Sequence, residues 1–160
     1  MKAMIFAAGL GTRLKPITDS IPKALLPIGG KTLLEWQLEK LKQAGITDVV
    51  INVHHFADQI IRYVEERDHL GMRIGFSDET EMLLETGGGL RKAGQLLGTD
   101  QPVLVCNADV LSNIDIRQLI AAHQADDLAT IVVSRRDTQR YFLFDQSGLL
   151  KGWTNIKTGE

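Results

Sequence analysis

Residues 2–13 read KAMIFAAGLGTR, an apolar run broken by a glycine turn, and the architecture unfolds from it. Lys2 to Ala8 is short, apolar and followed at once by Gly9, the pattern of a strand covered on both faces. Four runs further along have the same character: 47–53 (TDVVINV), 72–77 (MRIGFS), 102–106 (PVLVC) and 129–134 (ATIVVS). Between them the apolar residues take helical spacings. Leu34, Leu38 and Leu41 line 33–44, which Gly45 ends, and Phe56, Ile60 and Val64 line 56–66. Shorter patterns occupy 90–97 and 115–125, the second with Asp115 as its cap. Strand and helix in alternation predict βαβ units, hence an α/β fold with a mostly parallel sheet between helix layers. The tail departs from this: 141–145 and 149–153 flank a QSG turn and predict a C-terminal β-hairpin.

The 160 residues carry 18 Lys and Arg against 20 Asp and Glu, a net charge of −2, with 44% hydrophobic and 24% charged residues. This is an ordinary globular composition and excludes a disordered chain. Near neutrality gives no electrostatic attraction toward nucleic acid or a membrane surface, so any affinity for phosphate has to come from a local site. The single cysteine, Cys106, excludes an intramolecular disulfide and a multi-cysteine metal site. No apolar run approaches the roughly 20 residues that span a bilayer. The apolar start meets glycines and Arg13 too soon for a signal peptide, so a soluble, cytoplasmic chain is expected.

Residues 9–27 form a connection longer than the usual ~2–6 residues between strand and helix, with three prolines and no period, which marks a functional loop. It opens with Gly9-Leu10-Gly11-Thr12-Arg13, where backbone N–H groups free of Cβ obstruction can converge on phosphate and Arg13 can fork onto it. Leu14 stands where the dinucleotide fingerprint needs its last glycine, and Leu25 where a P-loop needs its first. Pro22 and Pro27 bracket Lys23, a point charge on a long stem. Leu84-Glu85-Thr86-Gly87-Gly88-Gly89-Leu90 reads as a glycine loop before a helix, where Glu85 contacts a ligand or faces water. Asn107-Ala108-Asp109 places a carboxylate just past a buried strand, where Mg²⁺ is held in α/β enzymes. Each has a plainer reading: a tight turn with a surface Arg, a solvated Lys, a flexible loop, and a carboxylate capping its own turn. His54 and His55 follow a strand but lack the spacing of a zinc site, and Cys106 reads as a small core residue.

Taken together, residues 9–36, GLGTRLKPITDSIPKALLPIGGKTLLEW, resemble the signature of the sugar-1-phosphate nucleotidyltransferases. The pattern is Gly-x-Gly-Thr-Arg, about ten residues, then Pro-Lys and an apolar-Pro stretch, here Gly9, Gly11, Thr12, Arg13, Pro22, Lys23 and Pro27. LETGGGL and NADV resemble the next two blocks in order. The chain is most similar to the branch with N-acetylmuramate-1-phosphate uridylyltransferases and mannose-1-phosphate guanylyltransferase-like proteins. The resemblance implies a Rossmann-like three-layer sandwich and a single displacement, in which a sugar-1-phosphate oxygen attacks the α-phosphorus of a nucleoside triphosphate, UTP by preference, and pyrophosphate leaves. It places Ala8, Gly9, Gly11, Thr12 and Arg13 on the triphosphate, Lys23 near the reacting phosphates, Glu85, Gly87 and Gly88 at the nucleotide, and Asp109 on Mg²⁺. Guanylyl transfer to mannose-1-phosphate, and a catalytically incomplete nucleotide-binding module, are the alternatives. The family's second metal-binding Asp lies in a segment beyond residue 160. Its Glu-Lys-Pro sugar-site stretch is replaced by Trp153-Thr154-Asn155-Ile156-Lys157. Residues 1–160 are therefore expected to be a nucleotidyltransferase domain without the family's C-terminal part, able to bind nucleotide but slow to turn it over.

Overall fold

The structure is a computed structural model and describes residues 1–159. The chain divides into two compact units, Met1–Ile120 and the segment from Ala121 onward. In chain order it contains β1 (Lys2–Phe6), β2 (Pro27–Ile28), β3 (Lys31–Thr32), α1 (Leu33–Gln43), β4 (Asp48–Val53), α2 (Ala57–Glu65), β5 (Arg73–Asp78), α3 (Glu85–Leu97), β6 (Val103–Asn107), α4 (Ile116–Ala122), β7 (Arg140–Phe144) and β8 (Leu150–Asn155).

The first unit is built on a four-stranded sheet in the order β5-β4-β1-β6, with every neighbouring pair parallel. The pleat sends alternate side chains to opposite faces. Ala3, Ile5, Val49, Ile51 and Val53 meet Leu34, Leu38 and Leu41 of α1 and Ile60 and Val64 of α2 on one face. Met4 and Val50 meet Ala93 and Leu97 of α3 on the other. Burying a side chain such as Ile5 or Leu38 completely contributes about 1.5–3 kcal/mol before the entropy of ordering is subtracted. Local signals set the helix ends. Thr32 Oγ1 accepts from Glu35 N (3.1 Å) to cap α1, and Asp115 Oδ1 accepts from Arg117 N (2.8 Å) to cap α4.

The parallel sheet between helix layers is the α/β architecture that strand–helix alternation predicts. Growth from β1 through β4 to β5 runs one way; α3 then crosses to the opposite face and β6 pairs on the free side of β1. This reversal leaves the carboxyl ends of β1 and β6 adjacent, a topological switch point.

Two expectations are corrected. Residues 129–134 form no strand, and Ile131, Val132 and Val133 are half exposed. Their β-branched side chains supply propensity, but a strand exists only as part of a ladder, and no strand of the described residues pairs with them. Residues 85–89 are not a loop before a helix: they are the opening turns of α3. Three glycines disfavour a helix by about 1 kcal/mol each relative to Ala, and the burial of Ala93 and Leu97 of the same helix against the sheet opposes that preference.

In the second unit β7 and β8 pair antiparallel, with Phe142 opposite Trp153 and a register shift between Leu143 and Phe144. The turn between them is organised by Asp145. Its Oδ1 accepts from Ser147 Oγ (2.6 Å), Ser147 N and Leu149 N (3.0 Å each), and Lys151 lies 3.1 Å from Oδ2. Among the described residues no helix is long and apolar enough to cross a membrane.

The Ser147 hydroxyl first, then the Leu149 N–H and the Lys151 ammonium, lower the Asp145 carboxyl to about 2. A depressed folded value stabilises the turn above the unfolded value near 3.8, and that contribution fades as pH falls through about 2. A carbon-detected NMR titration should place the Asp145 midpoint near 2; a midpoint at the ordinary value would refute the turn geometry.

Candidate functional site

β1 stops at Phe6 and β6 at Asn107, side by side, and Ala108 N donates to Phe6 O (3.0 Å) to hold the two ends together. Above them opens a cleft of about 390 Å³. Its near wall is Ala7, Ala8 and Gly9, the first residues past β1. Ala7 and Ala8 are buried and carry the chain out of the core, whereas Gly9 is exposed.

The chain then folds back at Gly11. Its φ is +65°, and a Cβ there would lie 3.0 Å from Thr18 Cγ2. The buried Thr18 donates from Oγ1 to Gly11 O (2.9 Å). Gly11 therefore shapes the loop, and no larger residue fits its conformation and its neighbour together. The single helical turn Thr12–Leu14 that follows sets Arg13 against the cleft. The Arg13 guanidinium is exposed and makes no ion pair or hydrogen bond among the described residues.

A second turn, Lys23–Leu25, is closed by Leu25 N donating to Pro22 O (2.9 Å) and anchored by buried Ala24 and Leu25. From this anchored turn the Lys23 ammonium reaches Asp109 Oδ2 in an ion pair, each side chain about one third exposed. Asp109 thus faces the cleft and does not cap its own turn. Glu85 and Thr86, at the start of α3, line the other side.

Of the residues singled out in the sequence, the cleft brings together Ala8, Gly9, Arg13, Lys23, Glu85 and Asp109. Gly11, Thr12, Gly87 and Gly88 lie outside its lining. Two buried polar residues at its floor were not anticipated: Asn52 on β4 and Glu79 just past β5. The polar residue inside the apolar run TDVVINV was the available signal for Asn52. Glu79 sits in DETE, which reads as solvated acid. His54 Nδ1 lies 2.6 Å from Glu79 O, and the described residues contain no cluster of three His, Cys, Asp or Glu able to hold a metal alone.

Residues 2–143 match the nucleotidyl transferase family. The chain belongs to that family. Among its relatives are the N-acetylmuramate alpha-1-phosphate uridylyltransferases of Neisseria meningitidis, 49% identical over 115 residues, and Caulobacter vibrioides, 46% over 109. These alignments cover 72% and 67% of the chain and 49% and 45% of the relatives. The mannose-1-phosphate guanyltransferase of Aspergillus fumigatus is 37% identical over 140 residues, 86% of the chain and 38% of the relative. Among solved structures, HddC from Yersinia pseudotuberculosis complexed with GMP-PN shares the fold with a TM-score of 0.76 at 23% identity, covering 96% of this chain and 68% of that one. The chain spans about half the length of the curated relatives it matches or less. Members of the family generally use a divalent metal.

Cys106, on β6 beneath the cleft, packs against the core, and burial raises its thiol to about 11. It is protonated at neutral pH and offers no thiolate for nucleophilic attack. Iodoacetamide at pH 7.5 should modify it at least about tenfold more slowly in the folded than in the urea-unfolded chain; equal rates would contradict this burial.

Proposed function

We propose that this nucleotidyl transferase moves the nucleotidyl group of a nucleoside triphosphate, UTP by preference, onto a sugar-1-phosphate, with N-acetylmuramate-1-phosphate the favoured acceptor. The observation that carries this reading is the convergence at the switch point: the backbone at Ala8 and Gly9, an unpaired Arg13, and the Lys23–Asp109 pair around one cleft. Open α/β sheets bind ligands at that crevice. The higher identity to the uridylyltransferases favours UTP over GTP. A cytoplasmic setting and a supply of sugar nucleotide for cell-wall synthesis accompany that acceptor.

The reaction asks for positioning and charge stabilisation. A phosphate oxygen of the sugar-1-phosphate forms a bond to the α-phosphorus as the bond to the bridging oxygen of pyrophosphate breaks. The attacking oxygen is already anionic, so no base has to accept a proton, and the partly buried, protonated Cys106 is not asked to act. The N–H groups after Ala8 and the Arg13 fork receive the β- and γ-phosphates, where negative charge accumulates on the leaving group. Lys23 exchanges its carboxylate partner for phosphate oxygens nearer the α-phosphorus. An exposed ion pair is worth about 0–1 kcal/mol, so this exchange costs little.

The donor set suits Mg²⁺. A single carboxylate, Asp109, with phosphates and water completing the shell is an ordinary site for that ion, and Lys23 already holds the carboxylate at the cleft. The metal would neutralise phosphate charge there. Glu85, exposed at the start of α3, lines the cleft and would border the nucleoside.

Calorimetry with UTP, GTP, CTP and ATP in the presence of Mg²⁺ tests the reading. UTP should bind most tightly, and Arg13→Ala should weaken it about tenfold or more, the loss of charge-assisted hydrogen bonds. The melting temperature of that variant should move by less than about 3 °C, since Arg13 is an exposed loop residue. Unchanged UTP affinity in Arg13→Ala would remove Arg13 from the site, and tighter binding of GTP would move the assignment to guanylyl transfer.

A further inference from the structure

Beneath the cleft runs a chain of hydrogen bonds that joins three segments far apart in sequence. Ala7 N donates to Asn52 Oδ1 (2.7 Å), Asn52 Nδ2 donates to Glu79 Oε1 (2.8 Å), and Leu84 N donates to Glu79 Oε2 (3.1 Å). Asn52 is 2% exposed and Glu79 1%. The backbone of Glu79 is fixed as well: its N–H donates to Val53 O (2.7 Å) and its carbonyl accepts from Met82 N (3.1 Å). Gly89 closes the space from α3, where an added Cβ would stand 2.7 Å from Glu79 Oε1 and 3.2 Å from Asn52 Nδ2.

The polarity of this chain admits one arrangement. A backbone N–H can only donate, so Ala7 fixes the Asn52 oxygen toward itself and turns the Asn52 amide nitrogen toward Glu79. Leu84 N–H also can only donate. Both oxygens of Glu79 must then accept, which a carboxylate does and an amide of the same shape cannot. No ion pair accompanies this carboxylate among the described residues; two N–H donors hold it.

We propose that Asn52 and Glu79 form a positioning relay that sets the backbone of the nucleotide loop at Ala7–Gly9 relative to the 84–89 wall of the cleft. The proposal rests on the nucleotide reading of that cleft. Neither side chain is asked to carry out chemistry. The relay holds the loop N–H groups and Glu85–Thr86 at one spacing, and a site misplaced by about 1 Å can lose roughly 10²-fold in rate. Buried polar networks of this kind specify one arrangement when every member is satisfied and fail when one is not.

The relay can be inverted, which makes it testable. In Glu79→Gln, two N–H donors face each other somewhere along the chain. In Asn52→Asp, two carboxylates meet where one hydrogen bond had been. In the double variant Asn52→Asp with Glu79→Gln every bond is restored. The introduced amide nitrogen donates to the introduced carboxylate, that carboxylate still accepts from Ala7 N, and the amide oxygen accepts from Leu84 N. The double variant also keeps the net charge of the parent chain.

Each single variant should weaken UTP binding about tenfold or more by calorimetry, the consequence of an unsatisfied buried group, and the double variant should return to within about threefold of the parent. A role through charge alone predicts a different pattern: Glu79→Gln would tighten a triphosphate and Asn52→Asp would loosen it. That pattern, unchanged singles, or a double variant weaker than either single would overturn the relay. If a single variant fails to fold, a folded double variant supports the relay and an unfolded one refutes it. Hydrogen exchange without nucleotide gives a separate readout. Protection of the Ala7 and Leu84 amides should fall in each single variant and recover in the double. If the parent chain binds no nucleotide the reading of the cleft fails, and the amide protection then shows on its own whether these side chains hold the loop.

Discussion

β6 returns to lie beside β1, and the cleft exists because of that pairing. The register sets Phe6 against Asn107, and the Ala108 N–H bonded to Phe6 O continues the ladder one step beyond the strands. Two chain segments a hundred residues apart therefore leave the sheet at the same point. One carries the glycine turn and Arg13; the other carries Asp109. A helix crossing to the opposite face between β5 and β6 is what makes this possible, because strands added in a single direction would leave no adjacent pair of ends diverging. The apolar packing of Ile5, Ile51, Leu34 and Leu38 fixes that sheet, and the site inherits its rigidity.

On this frame the charged residues are held loosely and the buried polar ones tightly. Lys23 and Asp109 pair at the edge of the cleft, each partly exposed, an arrangement that would rearrange at small cost for the proposed phosphate ligand. Arg13 carries an uncompensated charge on a short turn. Asn52 and Glu79 lie beneath them, almost fully buried, with their hydrogen-bonding groups engaged. The division suits a site that must exchange anionic ligands while keeping its loops in register.

Most of the sheet was legible in the sequence because β1 and β4 are buried on both sides and β6 keeps a short apolar run, so runs ending at Gly9, His54 and Asn107 announce themselves. Leu34, Leu38 and Leu41 likewise show a helix by their spacing alone. Residues 129–134 look identical to those runs in composition, yet strand formation there would need a partner that local residues cannot reveal. Glycines 87–89 suggest a loop by propensity; they belong to α3, whose Ala93 and Leu97 pack on the sheet, and the lack of a side chain at Gly89 leaves the room that Glu79 and Asn52 occupy. Arg13, Lys23 and Asp109 were visible as charges punctuating apolar loops. Glu79 was hidden because whether an acidic residue in DETE is buried depends on segments far away in the chain.

The proposed seat of the nucleoside triphosphate is the crevice between the ends of β1 and β6. A backbone amide NMR titration of the chain with UTP and Mg²⁺ reads this directly, residue by residue. The amides of Ala8 to Arg13 and of Ala108 and Asp109 should shift together with one saturation curve, while those of Ile60 and Val64 on α2 stay in place. Shifts absent from the β1–β6 crevice, or confined to another face of the sheet, would contradict the account.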